Sequence, residues 1–199
     1  MAGAFPISNA SFQTMGIRSI QNTIISKSQS GKKLSRQVDG QRFGFTAKII
    51  TGKRSDIYGE LMAFIMKQRS QKENFTIIPP EVEDARGTAS GIPNGTASAG
   101  ATSITLGGTG TGTLLSGDYI KFANHDKVYM VVADQSDIST GSLTIEPPLT
   151  TAVSSSNITF DNVPFTVHLT NDVQEFGAVG ADNNGNLLYQ YEIDVEEAL

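Results

Sequence analysis

Three stretches far apart in this chain alternate apolar and polar residues with period two, and only one stretch repeats at helical spacing. Phe43, Phe45, Ala47 and Ile49 alternate with Arg42, Gly44, Thr46 and Lys48. Val163, Phe165, Val167 and Leu169 form a second series. Tyr189, Tyr191, Ile193 and Val195 form a third, interleaved with Gln190, Glu192, Asp194 and Glu196. Successive side chains of a strand point to opposite faces, so each series predicts a strand with one buried face, the last with an acidic outer face. The helical stripe is Ile57, Leu61, Phe64 and Ile65, at i, i+4, i+7 and i+8. Ser55 or Asp56 is the expected cap, with Asp56 and Glu60 in the first turn and Lys67 and Arg69 near the end. Gly59 inside it costs about 1 kcal/mol relative to Ala, so this helix leans on tertiary packing. A mainly β fold with one flanking helix follows.

The remaining segments fit that frame. Residues 1–15 read as an extended arm, since Phe5-Pro6 disfavours helix. Ile17, Ile20, Ile24 and Ile25 predict a strand over 17–26, and the polar, basic stretch 27–40 reads as the long tip of a hairpin. Phe75–Ile78 is a short strand stopped by Pro79-Pro80. Residues 87–117 hold no charged residue and nine glycines, with a strand at Ile104–Leu106 inside them. Residues 81–101 are expected to be linker. A second module starts at 102, with strands at Tyr119–Phe122, Lys127–Ala133 and Leu143–Glu146. Short strands at such spacing mark a small barrel or sandwich. Ser154–Ser156 reads as a loop and Asp182–Asn186 as a turn.

Composition narrows the chemistry. With no Cys in 199 residues, disulfides, thiolate nucleophiles and thiolate zinc sites are excluded. The only histidines are His125 and His168. No run of about 18 apolar residues occurs, so no transmembrane helix is expected. Met1–Ala10 lacks a basic segment leading into a long apolar one, which predicts synthesis in a cytoplasm without a secretory leader. On that ground the sequons at Asn9, Asn74, Asn94 and Asn157 are chance. Charge is segregated. Residues 1–80 carry 12 Lys/Arg against 4 Asp/Glu, a net of +8, and residues 81–199 carry 3 against 16, a net of −13. Such asymmetry suits binding to an anion or packing of opposite signs between copies of the chain.

Each candidate site has a plain structural counterpart. Gly108–Gly112 (GTGTG) lacks the lysine and the following helix of a phosphate loop, so a flexible loop is expected. His125, with Asp118 or Asp126 and Ser116, would need a nucleophile elbow that the sequence lacks, so it reads as part of a hairpin turn. His168 is read as solvated or at an interface. Glu192, Asp194, Glu196 and Glu197 have the charge to hold a cation, but fit better an interface with a basic surface. The basic series Lys27, Lys32, Lys33, Arg36, Arg42, Lys48, Lys53 and Arg54 reads first as a protein-contacting hairpin, and second as a phosphate track. The interface set is therefore Lys32, Lys33, Arg36, Arg42, Lys48, Lys53 and Arg54 with Glu192, Asp194 and Glu196. No catalytic, metal or cofactor residue is assigned, and no cofactor is expected.

The order of several segments resembles a known family. These are GQRF at Gly40–Phe43, YGELMAFIMKQR at Tyr58–Arg69, FTIIPP at Phe75–Pro80, GDYIKFANHDKVYMV at Gly117–Val131, LTIEPP at Leu143–Pro148, VPF at Val163–Phe165 and YQYEIDVEE at Tyr189–Glu197. Together they resemble the small distal tail (Dit-like) proteins of long-tailed bacteriophages. That resemblance implies a tail-tube-like β-sandwich with one flanking α-helix, interrupted by an inserted small OB-like β-barrel. Residues 1–84 and 161–199 would form the ring-building part and 85–160 the insertion. It further implies a structural virion protein and not an enzyme: a ring, as a hexamer, at the distal end of the tail. Its partners would be the tail tube protein, the tip or baseplate hub and fibres, and tape-measure protein and DNA passing through the channel without specific binding, with no membrane contact. An alternative from the residues is a carbohydrate- or single-strand-nucleic-acid-binding module, with Tyr119 and Tyr129 as stacking candidates.

Overall fold

The computed structural model describes residues 3–6, 11–38 and 40–199. Strands β1 (Phe12–Ile20), β2 (Thr23–Lys27), β3 (Lys33–Gln37) and β4 (Arg42–Ile49) come first. The short β5 (Gly52–Lys53), helix α1 (Gly59–Lys67) and β6 (Phe75–Ile77) follow. Then come β7 (Pro93–Ala97), β8 (Ser103–Gly108), β9 (Tyr119–Phe122), β10 (Val128–Val131), β11 (Ser142–Glu146) and β12 (Val153–Thr159). The last four strands are β13 (Phe165–Leu169), β14 (Gly177–Ala181), β15 (Leu187–Gln190) and β16 (Glu192–Glu197). The protein is mainly β, with one α-helix and a closed six-stranded barrel.

The main sheet is antiparallel in the order β1-β4-β16-β13-β6. The alternation read from the sequence is its inner face: Phe43, Phe45, Ala47 and Ile49 of β4, Phe165, Val167 and Leu169 of β13, and Ile193 and Val195 of β16 are all buried. Leu61 and Ile65 of α1 pack into the same core. The helix starts later than Ser55 and Asp56 imply. A widened π-type turn spans Arg54–Tyr58 first, and neither residue caps it; the Ser55 hydroxyl donates to the Asp56 carboxylate instead. Gly59 opens the α-helix but stays inside the helical run, its N–H bonded to the Arg54 carbonyl, and a Cβ there would stand 2.7 Å from that oxygen. Tyr58 fixes the turn, donating to the Ile50 carbonyl at 2.9 Å and accepting from the Tyr191 N–H at 3.1 Å. That second bond falls where the expected terminal strand breaks: β15 ends before Tyr191 and joins the small sheet β14-β15-β5, and only β16 enters the main sheet.

The front of the chain also departs from expectation. Gly3–Phe5 runs beside β6, with Phe5 N–H donating to the Thr76 carbonyl at 2.8 Å. Part of the expected arm, with the Asn9 sequon, lies outside the described residues. The single strand expected over 17–26 is two, β1 and β2, and the expected long tip at 27–40 holds strand β3 and only a short turn at 28–32. β2 and β3 pair only with each other. They continue the β1–β4 ribbon beyond its Ile20–Arg42 pair.

The barrel closes in the order β10-β11-β8-β7-β12-β9 around Ile104, Ile120, Phe122, Tyr129, Val131, Leu143 and Ile145. Two expectations fail here. The stretch 81–101 is not all linker, because β7 lies in it. Its inward position is Gly95, where a Cβ would stand 2.7 Å from Ile104 Cγ2 and 2.8 Å from Phe122 Cε1. The neighbours fill the space that an apolar side chain would otherwise signal. Ser154–Ser156 is not a loop but a bulged part of β12, with its register shifted between Val153 and Ser156 and Ser155 at φ 47°.

The glycine and threonine stretch is likewise an ordered ribbon and not a flexible loop. Ser90 and Thr111 exchange both backbone hydrogen bonds at 2.9 Å, and Thr109 N–H donates to the Ile92 carbonyl at 3.0 Å. At Gly112 (φ +88°) a Cβ would lie 2.1 Å from the Thr88 carbonyl oxygen. Only glycine allows that approach. Barrel and sheet meet through Tyr119, edge-on to Phe43 and Phe165 with centroids at 5.4 and 5.9 Å, and through Val128, which packs in the sheet's core.

Candidate assembly interface

Some of the opposite charges segregated along the sequence meet inside one chain, where Arg18, Arg42 and Lys53 of the basic part pair with acids of the other. On the outer face of the main sheet, β16 brings its acids against β1 and β4. Arg42 donates to Glu196 at 3.2 Å, and Arg18 pairs with Asp194 at 2.6 Å. Asp194 is also bonded by Thr46 at 3.0 Å and Thr170 at 2.7 Å. Partial burial opposes its charge, yet these donors outweigh burial and hold its carboxyl below the usual range. Lys53 reaches Asp182 at 2.6 Å. Asp182 also accepts the Asn186 side-chain amide at 2.9 Å and the Asn184 and Asn186 N–H groups, which builds the turn read from the sequence; the Asn186 amide and Lys53 foremost hold its carboxyl well below the usual range. Of the acids Glu192, Asp194, Glu196 and Glu197, the arginines of β1 and β4 engage Asp194 and Glu196. No cluster of metal-ligating side chains occurs among the described residues.

Glu197 faces the other way and is fully buried. It accepts from Lys127 Nζ at 2.5 Å, Phe43 N–H at 3.1 Å and Val128 N–H at 2.9 Å. Lys127 is 2% exposed, donates also to Gln41 at 2.9 Å, and stands 4.7 Å over the Phe43 ring. Burial pushes the lysine down from its ordinary value against the pull of Glu197. This cluster joins barrel to sheet, and it is not legible in the sequence, because its partners are 70 and 154 positions apart.

The remaining basic residues behave differently. Every residue of β2 and β3 is exposed. Lys27, Lys32, Lys33 and Arg36 have no ion pair among the described residues. The same ribbon exposes Ile24 (62%), Ile25, Leu34 (53%) and Val38. Cross-strand pairing sets Ile24 beside Arg36 and Ser26 beside Leu34, which gives one face of Ile24, Leu34 and Arg36. The other face carries Thr23, Ile25, Lys27, Lys33, Ser35 and Gln37. Arg54 is exposed at the helix entry, and Lys48 stands opposite Glu192 in register. Of the expected interface set, the structure brings Arg42, Lys53, Asp194 and Glu196 into pairs within the chain. It leaves Lys32, Lys33 and Arg36 together on the projecting hairpin.

The other candidates take structural places. His125 bonds Asn124 at 2.9 Å and Tyr129 at 2.8 Å, and burial and Lys121 lower its pKa. Asp118 is occupied by the Arg86 and Leu115 N–H groups at 2.9 and 2.8 Å. His168 lies half-buried on β13. Tyr129 is buried in the barrel and Tyr119 is packed against the sheet, so neither offers a base or sugar a face. No helix among the described residues is long and apolar enough to cross a membrane. No protein-family model and no curated protein matches this chain.

Proposed function

We propose that this chain is a structural protein that assembles with copies of itself, as the ring at the distal end of a phage tail. The observation that carries this reading is the β2–β3 hairpin. A lone two-stranded ribbon is at best marginally stable in water, and among the described residues every position of this one is exposed, presenting aliphatic side chains and cations without an ion pair. Such a surface becomes stable when a partner covers it. The resemblance of its segment order to that of distal tail proteins suggests the setting. The main sheet, with α1 and the small β14-β15-β5 sheet, would be the tail-tube-like sandwich that builds a hexameric ring. The barrel would be the OB-like insertion, facing outward to tip or fibre proteins. The ring would join the tail tube to the tip or baseplate hub and pass tape-measure protein and DNA through its hole. Its work is geometric, and no catalytic step belongs to it. The alternative of a sugar- or single-strand-binding module loses support with the burial of Tyr129 and the packing of Tyr119.

Light scattering on the purified protein, followed by negative-stain imaging, tests the reading. Closed rings with a central hole are the expected result. A strict monomer at high concentration, in low and high salt alike, contradicts it.

A further inference from the structure

The hairpin's apolar and basic face has a matching surface on this same protein, and the chain cannot bring the two together by itself. Strand β14 is the free edge of the β14-β15-β5 sheet, and all five of its residues are exposed. Beside it runs an open groove of about 540 Å³, walled by Val173, Val179, Glu175, Glu192, Asp194 and Lys48. Val173 (74% exposed) and Val179 are uncovered aliphatic surface. Glu175 and Glu192 have no ion pair among the described residues, whereas Asp194 is held by Arg18. Lys48 is the one cation in the wall. The groove is thus mostly polar, with two exposed valines and surplus negative charge, and the hairpin face of Ile24, Leu34 and Arg36 offers aliphatic side chains with positive charge.

Their places in the sheet decide the occupant. The hairpin leaves the sheet at the Arg42 end of β4, and the groove lies at the Lys48 end, opposite Glu192. Six residues of extended strand separate these ends by about 20 Å, and the hairpin points away from the groove. Contact between them therefore requires a second copy.

We propose that the Ile24–Leu34–Arg36 face of one copy seats in the β14 groove of the next. Arg36 meets Glu175 and Glu192, and the aliphatic side chains cover Val173 and Val179. The contact is heterologous, one surface against a different one, so it closes into a ring when the rotation between copies closes. This rests on the reading that the chain self-assembles, and it adds the acceptor site.

The chain's lack of cysteine makes the test clean. Leu34→Cys and Val179→Cys are made as separate single variants at exposed positions, checked for native folding by circular dichroism, and oxidised alone and mixed. The expected result is a cross-linked dimer in the mixture and none with either variant alone. In addition, Arg36→Glu weakens self-association about tenfold, and adding Glu192→Arg restores it. Cross-linking of Leu34→Cys with itself overturns the proposal in favour of hairpin-to-hairpin contact. Absence of cross-linking while the wild type forms rings overturns the acceptor site and leaves the ring reading standing. Absence of both cross-links and rings overturns both.

Discussion

One long β-ribbon runs through this protein, and its two halves live under different rules. The inner half, β1 with β4, buries Phe43, Phe45, Ala47 and Ile49 and spends its cations on acids of β16: Arg18 on Asp194 and Arg42 on Glu196. The outer half, β2 with β3, buries nothing and pairs none of its cations among the described residues. Both halves are antiparallel, but as two separate ladders: the Ile20–Arg42 pair ends the first and the Thr23–Gln37 pair opens the second. What differs is a third strand. β16 lies beside β4, and among the described residues no strand besides β2 lies beside β3. The difference teaches that segregated charge along a sequence is not in itself a sign of intermolecular pairing. Arg18, Arg42 and Lys53 are paired within the fold, and the cations of β2, β3 and their turn are among those left to point outward.

The largest effects are expected in the inner half. Phe45→Ala removes a fully buried ring that packs edge-on to Phe165 at 4.7 Å and lowers unfolding free energy by about 3–5 kcal/mol in urea denaturation. Glu197→Ala orphans the buried Lys127 charge and two backbone N–H groups, and a loss of about 3–5 kcal/mol is again expected. If Glu197→Ala were neutral, the cluster would not be the joint between barrel and sheet.

A smaller effect comes with acid. Asp194 and Asp182 have carboxyls held below the ordinary range in the folded state, so the unfolded chain takes up protons first as pH falls. Their contribution is complete above about pH 4 and is lost as pH falls through the folded values. Denaturation midpoints measured at pH 6, 4 and 3 should fall in that order, with Asp194→Asn flattening the last step. The smallest effect belongs to the outer half: Leu34→Ala leaves monomer stability within about 0.5 kcal/mol. A loss as large as that of Phe45→Ala would erase the contrast between the halves.

The inner half was legible in the sequence because period-two alternation reports burial directly. Phe43 to Ile49, Val163 to Leu169 and Ile193 to Val195 lie as the alternation implies, and the stripe of Leu61 and Ile65 faces the core. Three things were not legible. β7 escaped because its inward position is Gly95, whose space belongs to Ile104 and Phe122. β12 escaped because a bulge at Ser155 breaks its alternation. The ion pairs escaped because their members lie far apart in the chain, so the same composition fits pairing within a copy or between copies. For the candidate interface, the sequence marked Lys32, Lys33 and Arg36 correctly as basic and polar. It did not single them out from Arg42 and Lys53, and it offered no sign of the β14 groove, which exists only once β14, β15 and β16 are placed.

The claim that the outer hairpin is an assembly arm is tested most directly by sedimentation velocity on the wild type and the Lys32→Glu, Lys33→Glu, Arg36→Glu triple variant, in low and high salt. The account predicts large species for the wild type that shrink with salt, and a folded monomer for the variant in both. Identical distributions for the two proteins at both salt concentrations would contradict it.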